Sequence, residues 1–199
     1  LKSGLEDVVG TFLKRGAMVG VGIWIFLHIA IALVAPFSSY QYMTGPEQAT
    51  NATLLVLLIA VNFNRLGPLL VNDRKCNWNF LTSGAMAASV TVQFMAIVSV
   101  ATMVLLPTPV LIDPIMGVRC HLVRFAEWTA LSFVMCFLTE SIDLPLEDAD
   151  NRHAWFTAIC IAASTVCGGI MPFCTTEFAW WTVFTISCSL FSVLYARLL

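Results

Sequence analysis

An all-α bundle of six membrane-spanning helices is the fold this sequence predicts, and three observations carry the prediction. The first is composition. Of 199 residues, 59% are hydrophobic and 11% charged, where a soluble domain carries about 25% charged residues. A mean hydropathy of +0.85 agrees. The second is a set of six apolar runs, approximately 14–36, 49–70, 79–106, 119–140, 153–172 and 177–199. Each is long enough to cross a hydrocarbon core of about 30 Å. The third is the sidedness of positive charge, because cytoplasmic loops are the ones rich in Lys and Arg. With the N-terminus inside, Lys2, Lys14, Arg15, Arg65, Arg74, Lys75, Arg152 and Arg197 fall inside, and Arg119 and Arg124 outside. The chain therefore reads as a single transmembrane domain over 1–199, multi-pass, with both ends cytoplasmic and the lipid bilayer as its surroundings. A net charge of −2 gives no reason to expect nucleic acid. Because it starts at Leu1 and stops directly after an apolar run, it reads as a piece of a longer protein without a cleavable signal.

The first run opens with Gly16 and Gly20 in G-x-x-x-G spacing, which lets a neighbouring helix approach closely. His28, in mid-run, is expected to hydrogen-bond a neighbouring helix. The loop after it, from Pro36 to Thr50, has no Lys or Arg. It leads into Asn51-Ala52-Thr53, a glycosylation sequon whose closeness to the membrane argues against modification. The second run carries Asn62, Asn64 and Arg65 near its cytoplasmic end, where Gly67-Pro68 can terminate a helix. Asn72-Asp73-Arg74-Lys75 is a basic turn of the kind that fixes topology. In the third run Thr82, Ser83, Thr91 and Gln93 read as interhelical hydrogen-bonding groups.

The fourth run holds the most informative stretch, Arg124-Phe125-Ala126-Glu127-Trp128. An arginine and a glutamate three apart share a helix face. At membrane depth such charges pair, face a bundle interior and mark a functional path. The acidic stretch that follows, with Glu140, Asp143, Glu147, Asp148 and Asp150, reads as a solvated cytoplasmic turn or, as the alternative, a contact surface for a cytoplasmic domain. Of the seven cysteines none forms C-x-x-C, and no His/Cys/carboxylate set has metal-ligand spacing. Cys120 and Cys174 both fall near the outer face, where a disulfide is the less favoured of the two states. No catalytic triad, phosphate loop or nucleotide fingerprint is present, so these residues hold no recognisable enzyme site. The sixth run opens with Phe178-Ala179-Trp180-Trp181. Trp180 suits an aromatic belt. Trp128 and Trp181, one turn further in, suit the walls of an apolar slot that takes a long molecule with a buried positive charge beside Glu127.

Those two helix starts carry a resemblance. The fourth run resembles the third core helix of microbial (type I) rhodopsins, whose pattern is Arg-Tyr-x-Asp/Glu-Trp, and the sixth resembles the fifth, which commonly begins Phe-x-Trp-Trp. One helix of suitable length separates them. The resemblance covers roughly 50–199, making 49–199 core helices one to five. Residues 1–48 then hold a cytoplasmic N-terminus, an extra helix and an outer loop, as in the eukaryotic enzyme-rhodopsins. It implies retinal as cofactor, Glu127 as counterion to the protonated retinal Schiff base, and Arg124 as the group holding that carboxylate ionised. It further implies a pocket from Trp128, Leu131, Ser132, Met135, Gly168, Trp181, Phe184 and Cys188, with Gly168 leaving room for the ring end of retinal. The implied function is a light sensor that regulates a cytoplasmic cyclic-nucleotide phosphodiesterase or cyclase in the same polypeptide, with a homodimer among its partners. The alternatives are a light-driven pump or light-gated channel, and a non-photic membrane scaffold. Leu138, where proton pumps keep a second carboxylate, argues against a pump. Phe125 replaces the family's tyrosine, and Phe133 stands where many members have proline. The family's attachment lysine has no counterpart, since Lys2, Lys14 and Lys75 all belong to cytoplasmic ends.

Overall fold

The computed structural model describes residues 2–34, 43–71, 84–142 and 152–198. Within them the chain forms six α-helices: α1 (Lys2–Val34), α2 (Gly45–Val71), α3 (Gly84–Leu105), α4 (Leu122–Ile142), α5 (Arg152–Ile170) and α6 (Glu177–Leu198). A short hairpin of β1 (Val110–Ile112) and β2 (Arg119–His121) sits between α3 and α4, and one 3-10 turn (Met171–Phe173) follows α5. Among the described residues five stretches are long and apolar enough to cross a membrane: Gly10–Val34, Ala88–Leu105, Leu122–Glu140, Arg152–Phe173 and Glu177–Leu194. Helix α2 has 27 residues, roughly 40 Å at 1.5 Å per residue. It runs through Gly67-Pro68 instead of ending there. The fourth helix begins at Leu122, three residues later than the apolar run, because Arg119–His121 pairs as a strand. Thr82, Ser83 and the acidic stretch 143–150 lie outside the described residues.

The helices form an arc. Each of α2 to α6 packs on the next, and α1 lies across α3 and α4. Among the described residues α2 and α6, the ends of the arc, are not packed on each other. Helix α4 occupies the centre, with α1, α3 and α5 all against it. Its buried residues Ala130, Phe133, Val134 and Phe137 meet Leu13 and Ala17 of α1, Ala88 and Met95 of α3, and Ala154, Ala158 and Ala162 of α5. In lipid, helices gain nothing from hiding apolar surface, so small residues that permit close van der Waals approach decide the contact. The Gly16/Gly20 pair is such a contact: a Cβ at Gly16 would collide with the Phe137 ring, and one at Gly20 with Val134. Phe137 also packs on Phe12 and Trp155 with ring centroids 4.6 Å away in each case. Phe133, fully buried, joins the same aromatic cluster.

His28 departs from expectation. Its Nδ1 bonds the Trp24 carbonyl of its own helix at 2.8 Å. The bond between helices is made by Trp24, whose Nε1–H donates to Ser99 of α3 at 2.8 Å.

Candidate functional site

Arg124 and Glu127 form the ion pair their spacing predicts. Arg124 Nη1 lies 2.8 Å from Glu127 Oε2, and Glu127 is 3% exposed. A third residue completes the set: the Arg124 Nη2 donates to Asn51 Oδ1 of α2 at 2.6 Å. Asn51 is 8% exposed, and its amide nitrogen donates to the Glu47 carbonyl at 3.0 Å. The sequon asparagine is thus committed to positioning Arg124, which leaves it unsuited to carry a glycan. The Arg124–Asn51 bond joins two helices, α4 and α2, that are adjacent neither in sequence nor in the arc.

The hairpin covers this end of the bundle and is tied down twice. Glu47 makes the first tie. It stands three residues after Thr44, whose amide donates to Glu47 Oε2 at 2.6 Å. This is half of a capping box, a signal legible in Thr44-Gly45-Pro46-Glu47 that marks Glu47, a residue with no role in the expected site. The same carboxylate accepts Arg119 Nε at 2.8 Å and Nη2 at 3.1 Å, and His121 Nε2 lies 3.3 Å away. The Arg119 guanidinium pulls the Glu47 carboxyl down to about 2, with the Thr44 amide assisting. Asp113 makes the second tie. Its Oδ1 accepts the amides of Ile115 and Met116, at 2.9 and 2.8 Å, closing the hairpin turn. Gly117 supplies the left-handed position there, with φ 66°. Asp113 Oδ2 accepts the indole N–H of Trp180 on α6 at 2.8 Å. Burial opposes ionisation of Asp113, but the Met116, Trp180 and Ile115 donors outweigh it and hold the carboxyl below its usual range. Trp180, expected in an aromatic belt, is instead buried and tethered.

Because the carboxyl of folded Glu47 binds its proton less readily than the ordinary 4.5, the unfolded chain takes up more protons across the interval between. The tie is therefore fully present above pH 4.5 and is lost as pH falls toward 2. Hairpin amide exchange, corrected for its intrinsic pH dependence, should accelerate over that window. Glu47→Gln should exchange faster above pH 4.5 and converge with the wild type toward pH 2; a wild-type profile matching the variant's throughout would remove Glu47 as the tether.

The other candidate residues are distributed unevenly. Trp128 (57% exposed), Leu131 and Met135 continue the Arg124–Glu127 face of α4, while Trp181 (53% exposed), Phe184 and Cys188 lie on α6. Phe184 stacks on Trp180 at 5.4 Å and meets Trp181 edge-on at 5.6 Å. No ring contact joins Trp128 to Trp181 among the described residues, since α5 separates their helices. Ser132 bonds the Thr129 carbonyl at 3.1 Å and lies 3.5 Å from Thr165 of α5. Gly168 does not leave open space: a Cβ there would meet the Phe125 ring at 3.0 Å. Cys120 and Cys174 are free thiols, each near a backbone carbonyl of its own segment. Among the described residues no group of three metal-ligating side chains occurs.

An arc of antiparallel helices around a central ion-paired helix, with a hairpin over one end, defines a polytopic membrane domain of rhodopsin-like fold. The comparison that shows it is structural. The transmembrane domain of the Salpingoeca rosetta rhodopsin phosphodiesterase superposes with a TM-score of 0.64 at 14% identity, over 90% of this chain and 66% of that one. The chain thus spans about two thirds of that domain's length. No family profile and no curated protein matches the sequence.

Proposed function

We propose that these residues are the larger part of a retinal-binding, light-sensing membrane domain that regulates a cytoplasmic enzyme of the same polypeptide, a cyclic-nucleotide phosphodiesterase or cyclase. One observation supports it most. A buried carboxylate, held by Arg124, sits on the same face of α4 as exposed Trp128 and Met135 and half-buried Leu131, in an arc that remains open between α2 and α6. In this reading further helices would close the arc and supply the attachment lysine, which these 199 residues lack. The greater length of the similar solved domain is in keeping with that. Glu127 would balance the positive charge of the chromophore linkage, Arg124 would hold Glu127 ionised, and the aromatic side chains of α4 and α6 would exclude water from the polyene. Retinal supplies the light absorption; these side chains supply charge, shape and dryness.

The test is a chain extended beyond Leu199, reconstituted with all-trans retinal. A visible absorption band is expected. Its absence would shift the reading to a non-photic scaffold, which the bonds of Arg124 to both Asn51 and Glu127 also favour, since they join α2 to α4 without any ligand.

The reading requires the hairpin end to face outward. Single-cysteine probes placed in 37–48, in a background free of other cysteines, should react with a membrane-impermeant thiol reagent applied to whole cells. Probes in 143–150 should react only after permeabilisation. The reverse pattern would turn α4 upside down and end the proposal.

A further inference from the structure

The contact between α1 and α4 changes character along its length. At Gly16 and Gly20 the helices touch with no space for a Cβ. Toward the hairpin end they diverge, and α5 does not fill the gap. The result is a groove of about 350 Å³ between Leu27, Ala30 and Ile31 of α1, Phe125 and Thr129 of α4, and Gly169 of α5, within the size range of ligand sites, about 300–1,000 Å³. Its walls are hydrocarbon. The hydroxyl among them, on Thr129, is already donated to the Phe125 carbonyl at 2.7 Å. Polar occupants would have nothing to bond, and a polar group taken out of water without a partner is strongly disfavoured.

The groove lies wholly within membrane-spanning segments. Its rim, Val34, Ile170 and Phe173, is exposed and apolar, continuous with the surface that meets the bilayer. The geometry points to a binding site for one acyl chain of a bilayer phospholipid, inserted between α1 and the α4–α5 pair. Phe125 forms its floor. That ring also packs against Gly168 and Gly169, and it is the immediate neighbour of Arg124 and two residues from Glu127. A chain seated here would therefore press on the back of the helix that carries the ion pair.

The site needs no retinal, so its test is separate from that of the light-sensing reading. The protein is placed in phosphatidylcholine nanodiscs containing a trace of phosphatidylcholine with a mid-chain diazirine, irradiated, and the labelled peptides mapped by mass spectrometry. Peptides covering 27–34, 122–129 and 166–173 should be labelled several-fold above those of α6, whose apolar surface is more exposed than theirs. Ala30→Phe, which fills the groove, should reduce labelling of 122–129 to the α6 level. Leu33→Phe, exposed but outside the groove, should leave it unchanged. Even labelling of all lipid-facing helices in the wild type would mean bulk lipid contact only and would overturn the site. Displacement of the label by free fatty acid or retinal at stoichiometric concentration would also overturn it, because the occupant would then not be a phospholipid chain.

Discussion

Glu127→Gln should be the most damaging single exchange of a polar side chain in this domain. Removing one partner of a buried ion pair costs about 3–5 kcal/mol, because the remaining charge is left without compensation. Here that charge is Arg124, fixed in place by Asn51 and unable to swing away to water without breaking that bond. For a chain of 199 residues the loss should lower the melting midpoint by roughly 6–20 °C. A double variant, Arg124→Met with Glu127→Met, should recover much of it, since both charges leave together. A midpoint in Glu127→Gln within a degree of wild type would mean that the pair is not buried as described. In a retinal-loaded longer chain the same exchange removes a negative charge from beside a buried cation, lowering the cation's proton affinity by as much as about 3–5 pKa units. The expected spectrum shows partial loss of the visible band to the near ultraviolet, with the remainder shifted to the red. An unchanged spectrum would exclude Glu127 as counterion.

Gly20→Leu should be the most damaging exchange of an apolar position. Its Cβ would occupy the place of Val134, with the Ala130 carbonyl behind it at 3.7 Å. Relief therefore requires α1 to lift away from α4. Overpacking of a well-packed core costs typically 1–3 kcal/mol, and backbone behind the clash places this site near the upper figure, about 3 kcal/mol. The midpoint should fall by roughly 6–12 °C. Gly22→Leu is the internal control, because nothing lies within 4 Å of a Cβ there; it should stay within about 0.5 kcal/mol of wild type. Equal effects at the two glycines would mean that helix propensity, not the α1–α4 contact, sets their cost.

Much of the bundle was legible because the signals that reveal it are local. Apolar length places the spans, and i,i+3 geometry pairs Arg124 with Glu127 whatever the rest of the chain does. The G-x-x-x-G spacing named a close helix contact correctly but could not say that α4, more than a hundred residues away, would fill it with Phe137 and Val134. The turn that closes the hairpin was equally local, in Asp113 and Gly117, yet a three-residue strand is too short to stand out beside an apolar run. It was absorbed into the start of the fourth helix.

What the tertiary structure alone decided is which polar groups finish one another. Asn51 reads as a sequon until α2 packs near α4 and presents it to Arg124. Trp180 reads as a belt residue until the hairpin brings Asp113 to its indole across 67 positions of sequence. Gly168 reads as space for a ligand until Phe125 fills it. Each assignment depends on which helices become neighbours. In a bilayer that choice is made by shape and by the need to satisfy buried polar groups, and neither names its partner within a single helix.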